Sequence, residues 1–234
     1  MTLTSRALRQ TASACAPELE PELLAQLQRG CAALDLTLEV GQQERLLDYL
    51  ALMSNWNKTY NLTAVREMGQ MVSRHLLDSL AITPYLSGKR VIDIGTGAGL
   101  PGIPMAIMFP EREFHLLDSN GKKTRFLFQV KTALCLDNIV VHQARVESFR
   151  AAEAFDAVLS RAFASLQDMM HGCRHLLAPG GRLLAMKGVH PGEELEPVRA
   201  ECDEVSVYPL TVPGLREQRH LVELVLQQGP DRPG

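Results

Sequence analysis

The chain has 234 residues, of which 46% are hydrophobic, and its formal net charge at pH 7 is −3. This length allows one large domain, or one domain with a small extension, and the apolar content suffices for an ordinary globular core. The mildly negative charge argues against a generally cationic nucleic-acid-binding protein, because such proteins carry an excess of lysine and arginine.

The five cysteines are an odd number at wide spacings and include no C-x-x-C pair. This pattern supports neither a zinc site nor a disulfide framework, and we expect no bound metal. Residues 1–21 are polar and interrupted by prolines, so they hold no signal-peptide apolar region. The longest apolar run, residues 100–109, is too short to cross a bilayer. We expect a cytoplasmic protein that does not bind membranes.

The first 85 residues show helical periodicity with no strand signal. Apolar residues recur at helical spacing over 22–35, 42–57 and 71–85. One face of the second helix is predicted to hold Leu46, Leu47, Leu50, Met53 and Trp56. We therefore divide the chain into a helical extension over residues 1–66, whose first ~20 residues are flexible, a main domain over 67–228, and a disordered tail over 229–234.

After residue 85 the pattern alternates between strands and helices. Strands are predicted at 90–95, 113–118, 138–142, 155–160, 181–187, 203–208 and 220–226. Helices are predicted at 101–108, 121–135, 165–177 and 193–200. This alternation is typical of an α/β fold with a parallel sheet covered on both faces. The last two strands are joined by a short link, which favours an antiparallel pair.

The most informative stretch is a β-branched strand, Val91 to Ile94, that runs into a glycine cluster. Gly95, Gly97 and Gly99 allow a sharp turn and a close approach to a ligand, since no Cβ intervenes. Two interpretations compete. From Gly97 the sequence matches the dinucleotide pattern G-x-G-x-x-G, a weak signal alone. From Asp93 it resembles the S-adenosylmethionine (SAM) loop of class I methyltransferases. The strand runs directly into Gly95, which favours the second.

Asp118 ends the second predicted strand, 23 residues after Gly95. In doubly wound sheets an acid at this position accepts hydrogen bonds from a ribose diol. Such a diol occurs in both SAM and NAD, so Asp118 indicates a nucleoside ligand but does not distinguish SAM from NAD. Alternatively, Asp118 could cap the following helix. Val146 and Glu147 follow the third strand, where an adenine ring would lie.

Arg161 ends the fourth strand and is predicted to face the ligand crevice at the carboxyl ends of the strands. An arginine there can hold a methionine carboxylate, an RNA phosphate or a guanine edge, or it can form an ion pair with Asp118 or Asp93. A Pro-Gly-Gly turn then leads into the fifth strand, a unit common in methyltransferases. At the end of that strand, Lys187 points to the same crevice and can meet a phosphate.

Seven motifs between about residues 40 and 190 together carry a family resemblance. They are Trp56-Asn-Lys-Thr-Tyr-Asn61-Leu-Thr, Arg74-His75-Leu-Leu-Asp78-Ser79, the Asp93–Gly102 loop, Leu117-Asp-Ser, Lys122-Lys-Thr-Arg-Phe-Leu, Ser160-Arg-Ala-Phe-Ala-Ser165 and Lys187-Gly188. On these the chain resembles the bacterial 16S rRNA guanine-N7 methyltransferases, also called the glucose-inhibited division protein B family. Ala98 stands where many relatives have proline, a minor departure.

The resemblance implies a Rossmann-like class I SAM-dependent methyltransferase fold, with a mostly parallel seven-stranded sheet and an antiparallel last strand. It implies methyl transfer to N7 of guanine 527 in the 530 loop of 16S rRNA, on the small ribosomal subunit or its precursor. It assigns SAM contacts to Gly95, Leu100, Val146, Glu147 and Arg161, with Asp118 on the ribose. We expect a monomer, with Arg161 essential and no acid–base catalyst.

Asn57, Lys58 and Asn61 are candidate RNA contacts, together with Arg74 and Lys187. Residues 55–131 hold ten lysines and arginines and six acids, a local excess of four positive charges. Such an excess fits either a phosphate-binding face or solvated helix surfaces. Trp56 is expected in the core, and His75 falls on the apolar face of its helix.

Three other functions remain open from the sequence. A nicotinamide-dependent oxidoreductase would share the glycine loop and Asp118, but would not explain Asp93 or the Pro-Gly-Gly unit. An RNA-binding factor with an idle methyltransferase fold would not be expected to keep the glycine loop intact. A small-molecule methyltransferase would leave the N-terminal motifs unexplained.

Overall fold

The structure is a computed structural model that describes residues 20–161, 163 and 165–227. The flexible start and the disordered tail that the sequence predicts lie outside these residues, apart from residue 20. Within the described part no helix is both long and apolar enough to span a membrane.

The core of the fold is a seven-stranded sheet. Its strands are β1 Arg90–Ile94, β2 Glu113–Asp118, β3 Ile139–Gln143, β4 Phe155–Ser160, β5 Leu177–Lys187, β6 Cys202–Pro209 and β7 His220–Leu226. Their spatial order is β3-β2-β1-β4-β5-β7-β6. The pairs among β1 to β5 are parallel, while β7 lies antiparallel between β5 and β6. The predicted fold class and its antiparallel last strand are confirmed.

Helices cover the sheet. They are α1 Glu20–Ala33, α2 Val40–Tyr60, α3 Met68–Met71, α4 Gly102–Met108, α5 Gly121–Leu134, α6 Leu166–Cys173 and α7 Glu196–Arg199. α3 continues through a π-helical segment, Val72–Leu77, into a last turn at Asp78–Leu80. Short 3₁₀ turns occur at Thr83–Tyr85, Val146–Ser148, Arg174–Leu176 and Gly192–Leu195.

The N-terminal helices share one hydrophobic core with the helices of the main domain. Leu46, Leu50 and Met53 on α2 are fully buried in the cluster that also holds Phe126 of α5. Trp56 is partly buried, with its ring centroid 5.6 Å from that of Phe126. The predicted apolar face of α2 therefore seats the extension against α5, and the core is continuous across residue 66.

The Pro-Gly-Gly unit is not a turn before β5, as predicted, but lies inside this strand. β5 begins at Leu177, and its pairing with β4 shifts register between Phe155 and Ala157. Gly180 adopts a positive φ of 72°. A Cβ on Gly181 would come within 2.9 Å of two backbone oxygens. The glycines thus form a bulge that lets the strand continue.

Candidate active site at the carboxyl ends of the strands

The glycine loop turns sharply over the end of β2. The N–H groups of Gly95 and Thr96 both donate to the carbonyl of Leu117, at 2.9 and 3.2 Å. Gly95, Gly97 and Gly99 have φ values of 64°, 63° and 94°, in the region that favours glycine. A Cβ on Gly99 would lie 2.3 Å from Ile103, whereas one on Gly97 would meet nothing closer than 3.9 Å. Packing against Ile103 therefore requires glycine at position 99, whereas the space beside Gly97 is open.

Asp93 lies beneath this loop and is fully buried. Its Oδ2 accepts hydrogen bonds from Oγ1 of Thr96 at 2.7 Å and from the N–H of Gly102 at 2.8 Å. A Cβ on Gly102 would lie 2.8 Å from the same oxygen, so glycine is needed for this approach. Burial raises the pKa of Asp93 from 3.8 to about 7, and these two hydrogen bonds oppose the rise. Asp93 thus shapes the loop from below; Oδ1 has no partner among the described residues.

A first cleft of about 320 Å³ opens where β1, β2 and β3 end. It is lined by Ile94, Gly95, Leu117, Asp118, Ser119, Lys123, Ala144, Arg145, Val146, Glu147 and Phe163. Four predicted cofactor residues meet here: Gly95, Asp118, Val146 and Glu147. Leu100 does not line this cleft but is buried in the core under the loop.

Asp118 joins the glycine loop to the start of α5. Its Oδ2 accepts the N–H of Gly97 at 2.9 Å, and its Oδ1 accepts the N–H of Asn120 at 2.8 Å. The Lys123 ammonium lies 3.6 Å from Oδ2. The N-cap of α5 is Asn120, whose side chain accepts the N–H of Lys122, so Asp118 is not the cap. A carboxylate has about four acceptor positions, so these two hydrogen bonds do not use all the acceptor capacity of Asp118, which lines the first cleft.

The first cleft has the chemistry that a nucleoside requires. Ile94, Leu117 and Val146 supply apolar contact for a flat ring, and Asp118 supplies acceptors for a diol. The open space above Gly97 allows a ligand to approach the backbone closely. The residues present therefore fit the nucleoside part of SAM.

A second cleft, of about 360 Å³, lies at the carboxyl ends of β4 and β5. It is lined by Val65, Arg74, His75, Asp78, Arg161, Met186, Lys187, Gly188, Leu210, Arg219 and His220. The structure places Arg161 here rather than among the residues of the first cleft. β1 and β4 are neighbours, and Oγ of Ser160 donates to the carbonyl of Ile94 at 2.9 Å, so the two clefts open on adjacent strand ends.

Two arginines converge on one buried carboxylate in the second cleft. Asp78 is only 4% exposed at its side chain; its Oδ2 lies 3.2 Å from Arg161 and its Oδ1 3.0 Å from Arg219. The sequence led us to expect that an ion pair of Arg161 would involve Asp118 or Asp93, and this was wrong. The partner lies on α3, which packs its final turn beside the end of β4.

The other second-cleft candidates also have protein partners. Lys187 pairs with Glu194 at 2.8 Å, and Arg74 pairs with Glu217 of the β6–β7 loop. His75 is buried as predicted, with Nε2 3.0 Å from Oγ1 of Thr63. Burial lowers the pKa of His75 from 6.5 to about 4, so its imidazole is neutral at pH 7.

Of the three RNA candidates at the end of α2, two are exposed and one is not. Asn57 is 2% exposed, accepts the N–H of Thr63 at 2.9 Å and donates to the carbonyl of Val65 at 3.3 Å. It therefore holds the following loop and is not a surface contact, contrary to the prediction. Lys58 and Asn61 are exposed, and Asn61 accepts a 2.9 Å hydrogen bond from Arg66.

Several cleft residues were missed from the sequence. Asp78 stood in the Arg74–Ser79 motif, and its i, i+4 spacing from Arg74 could have placed it near that residue. His75, which the sequence places on the apolar face of its helix and near the pocket rim, does line the second cleft. Arg219 and His220 gave no signal, because they lie at the start of the last strand, far along the chain from the other groups. The described residues include no group of three or more His, Cys, Asp or Glu able to hold a metal ion.

Comparison with known proteins agrees with this geometry. The family model "rRNA small subunit methyltransferase G" (GidB) matches residues 42–222. A ribosomal RNA small subunit methyltransferase G of Cellvibrio japonicus is 53% identical over 208 residues, which cover 87% of this chain and 95% of the relative. A protein of the same name from Pseudomonas syringae pv. syringae is 52% identical over 204 residues, with coverage of 87% and 95%.

Among solved structures, a glycopeptide N-methyltransferase complexed with SAM superimposes with a TM-score of 0.55. Its sequence is 15% identical, and the match covers 66% of this chain and 88% of that one. At this identity the likeness shows the fold alone, which is that of a SAM-dependent methyltransferase. The family model spans more than half of the chain, and the relatives are about half identical to it; the chain belongs to the rRNA small subunit methyltransferase G family.

Proposed function

We propose that this protein transfers a methyl group from SAM to N7 of guanine 527 in the 530 loop of 16S rRNA. The observation that carries the proposal is the first cleft, where Asp118 binds the glycine loop and still has acceptor positions for a ribose. Family membership supports the rRNA substrate. An oxidoreductase is not favoured, because the turn begins at Gly95, directly after β1, and because the dinucleotide pattern does not explain the buried carboxylate of Asp93.

Gly95, Gly97, Asp118, Val146 and Glu147 would hold the nucleoside part of SAM. SAM supplies an electrophilic methyl group on a sulfonium. Asp93 lies under the loop and fixes its shape through Thr96 and Gly102. Gly99 and Leu100 belong to the loop itself and pack against the core. Arg161 is assigned to the border with the second cleft, where its guanidinium can reach a carboxylate or a phosphate.

The second cleft is the proposed site of the target nucleotide. It opens at the neighbouring strand end, and four cations surround it, Arg74, Arg161, Lys187 and Arg219, each paired with an acid of the protein. Guanine N7 has an in-plane lone pair and no proton, so no general base is needed before attack. The protein must align the guanine, and good alignment is worth about 7–11 kcal/mol of a reaction barrier.

The target base must be unpaired or turned out of its helix to enter. N7 lies on the major-groove edge of guanine, and in A-form RNA this groove is too narrow and deep for side chains. Lys58, Asn61 and Arg74 are proposed to contact the RNA near the second cleft. We further propose a monomer that acts in the cytoplasm, with its helical extension ending near residue 66.

Methyl transfer from labelled SAM to small ribosomal subunits that lack the modification tests this function. We expect label in 16S rRNA and binding of SAM but not of NAD. Tight NAD binding would instead support the oxidoreductase. SAM binding without label in any RNA would support an idle fold or a small-molecule substrate.

A further inference from the structure

α5 presents an exposed cationic and aromatic face beside the first cleft. Lys122 and Arg125 are exposed on it, and the Phe128 side chain, one turn further along, is 53% exposed. The opposite side of the helix packs inward through Phe126, Leu127 and Val130, which are fully buried. We call Lys122, Arg125 and Phe128 the α5 face.

The positive charge of Lys122 and Arg125 does not stabilise the helix on which they lie. The first turn of α5 holds no acidic residue, although carboxylates are stabilising at this positive end of the helix dipole and cations are not. The ion pairs found among the described residues include none that joins Lys122 or Arg125 to an acid. Within the part of the chain that the structure describes, the side chain of Arg125 makes one hydrogen bond, from its Nε to the carbonyl of Gly121 at 3.1 Å. A local rule broken in this way is expected where the residues serve a function.

The α5 face is continuous with the first cleft. Lys123, which lies between its two cations in sequence, lines that cleft and faces Asp118. Arg145 lines the same cleft from the end of β3 and is exposed. Lys123 and Arg145 therefore connect the α5 face to the first cleft, whose lining also holds the acids Asp118 and Glu147. The α5 face lies toward β2 and β3, on the side of β1 away from β4.

We propose that the α5 face binds a single-stranded RNA segment next to the target guanine, with Lys122 and Arg125 on phosphates and Phe128 stacked on a base. This rests on the proposed function and adds a second RNA contact to it. Single-stranded binding surfaces combine cations that follow the backbone with exposed aromatic rings. A protein partner would be expected to meet a more apolar surface, since charged residues are depleted at the centre of protein interfaces.

The test compares the full-length protein with Lys122→Gln/Arg125→Gln and with Phe128→Ser. Lys89→Gln is the matched control for charge, because Lys89 is exposed at the amino end of β1, on the opposite edge of the sheet. Val40→Ser is the control for an exposed apolar side chain, since Val40 is 72% exposed on α2. Binding of each protein to protein-free RNA of the 530 loop and to assembled small subunits is measured at several salt concentrations, with the KM for subunits and the Kd for SAM.

We expect the double variant to bind RNA more weakly and to lose about 1.4 from the slope of log affinity against log salt, for two phosphate contacts with a single strand. Phe128→Ser is expected to weaken binding about fivefold or more. Both should raise the KM for subunits and leave the SAM Kd unchanged, and both controls should behave as wild type.

Wild-type affinity, salt slope and KM in both variants would overturn the inference while leaving the methyltransferase function intact. Weaker binding to subunits with unchanged binding to protein-free RNA would assign the α5 face to a ribosomal protein and equally overturn it. A wild-type protein that methylates no RNA is a different failure, that of the proposed function.

Discussion

The N–H of Gly97 donates a 2.9 Å hydrogen bond to Oδ2 of Asp118, and this bond fastens the glycine loop to the end of β2. The other oxygen of Asp118 accepts the N–H of Asn120 at the start of α5. One carboxylate therefore ties the glycine loop to the start of α5, and we propose that it also accepts hydrogen bonds from the ribose of SAM. Holding the loop and binding the ribose would use the same side chain, so substitution of Asp118 is needed to test the second role.

Asp118→Asn should weaken SAM binding by about tenfold or more, the range for hydrogen bonds to charged groups. Whichever oxygen the amide replaces, an N–H then faces the N–H of Gly97 or of Asn120. Calorimetric titration with SAM measures the effect, and Ser119→Ala, an exposed neighbour in the same cleft, is the control. Unchanged affinity in Asp118→Asn would remove this residue from the ribose site.

Gly97→Ala and Gly99→Ala should fail in different ways. At Gly97 the new methyl group meets nothing closer than 3.9 Å, so the cost is the left-handed backbone, about 1–2 kcal/mol, together with loss of SAM affinity. At Gly99 the methyl group would lie 2.3 Å from Ile103, and the free energy of unfolding should fall further. Thermal unfolding and SAM titration of both variants measure this, and equal losses of stability would contradict it.

Arg161→Ala should abolish methyl transfer and leave the fold intact. Asp78 keeps Arg219 at 3.0 Å, so its buried charge stays paired after Arg161 is removed. Label transfer, thermal unfolding and SAM titration are measured together, with the exposed Arg199→Ala as control.

The SAM titration then decides what Arg161 contacts. A weaker SAM affinity places the guanidinium on the cofactor, as the family resemblance implies. A wild-type affinity with lost transfer places it on the target nucleotide in the second cleft. Retained transfer together with wild-type affinity would exclude Arg161 from the site.

Asp93 should make stability depend on pH. Burial raises its pKa to about 7 in the folded protein, against 3.8 in the unfolded chain. Between these values the unfolded chain is ionised and the folded protein still holds the proton. The contribution of Asp93 to the free energy of unfolding is therefore fully present below about pH 4, falls as the pH rises, and is lost above about pH 7.

Asp93→Asn removes this titration but keeps one acceptor for Thr96 and Gly102. The Tm of the variant relative to wild type should therefore increase from pH 4 to pH 7 and then level off. Differential scanning calorimetry across pH 4–8 measures the difference. A Tm difference that is constant with pH would contradict the raised pKa.

The strands and the glycine loop could be predicted because their signals are local. Val91 to Ile94 is a short β-branched run, and Gly95 follows it directly. A few neighbouring residues therefore predict both the end of the strand and the turn. Asp118 could be placed because the next strand of an α/β sheet ends at the same edge. The antiparallel β7 followed from the short link before it.

The contacts of the second cleft could not be predicted because they join distant segments. Arg161 meets Asp78 across 83 positions of the chain, and Arg219 meets it across 141. That meeting depends on how the π-helical part of α3 packs beside β4, which no local pattern encodes. Asn57 failed for a related reason: its polar side chain satisfies the buried backbone of the next loop, and composition alone cannot distinguish this from a surface contact.

The most direct test of the central claim is to map which nucleotide of the rRNA receives the methyl group. Small subunits lacking the modification are incubated with the protein and SAM, and the rRNA is then cleaved chemically at N7-methylguanine. A single scission at guanine 527 in the 530 loop of 16S rRNA is the predicted result. Scission elsewhere, or methylated RNA that resists this cleavage, would contradict the assignment of the N7 target.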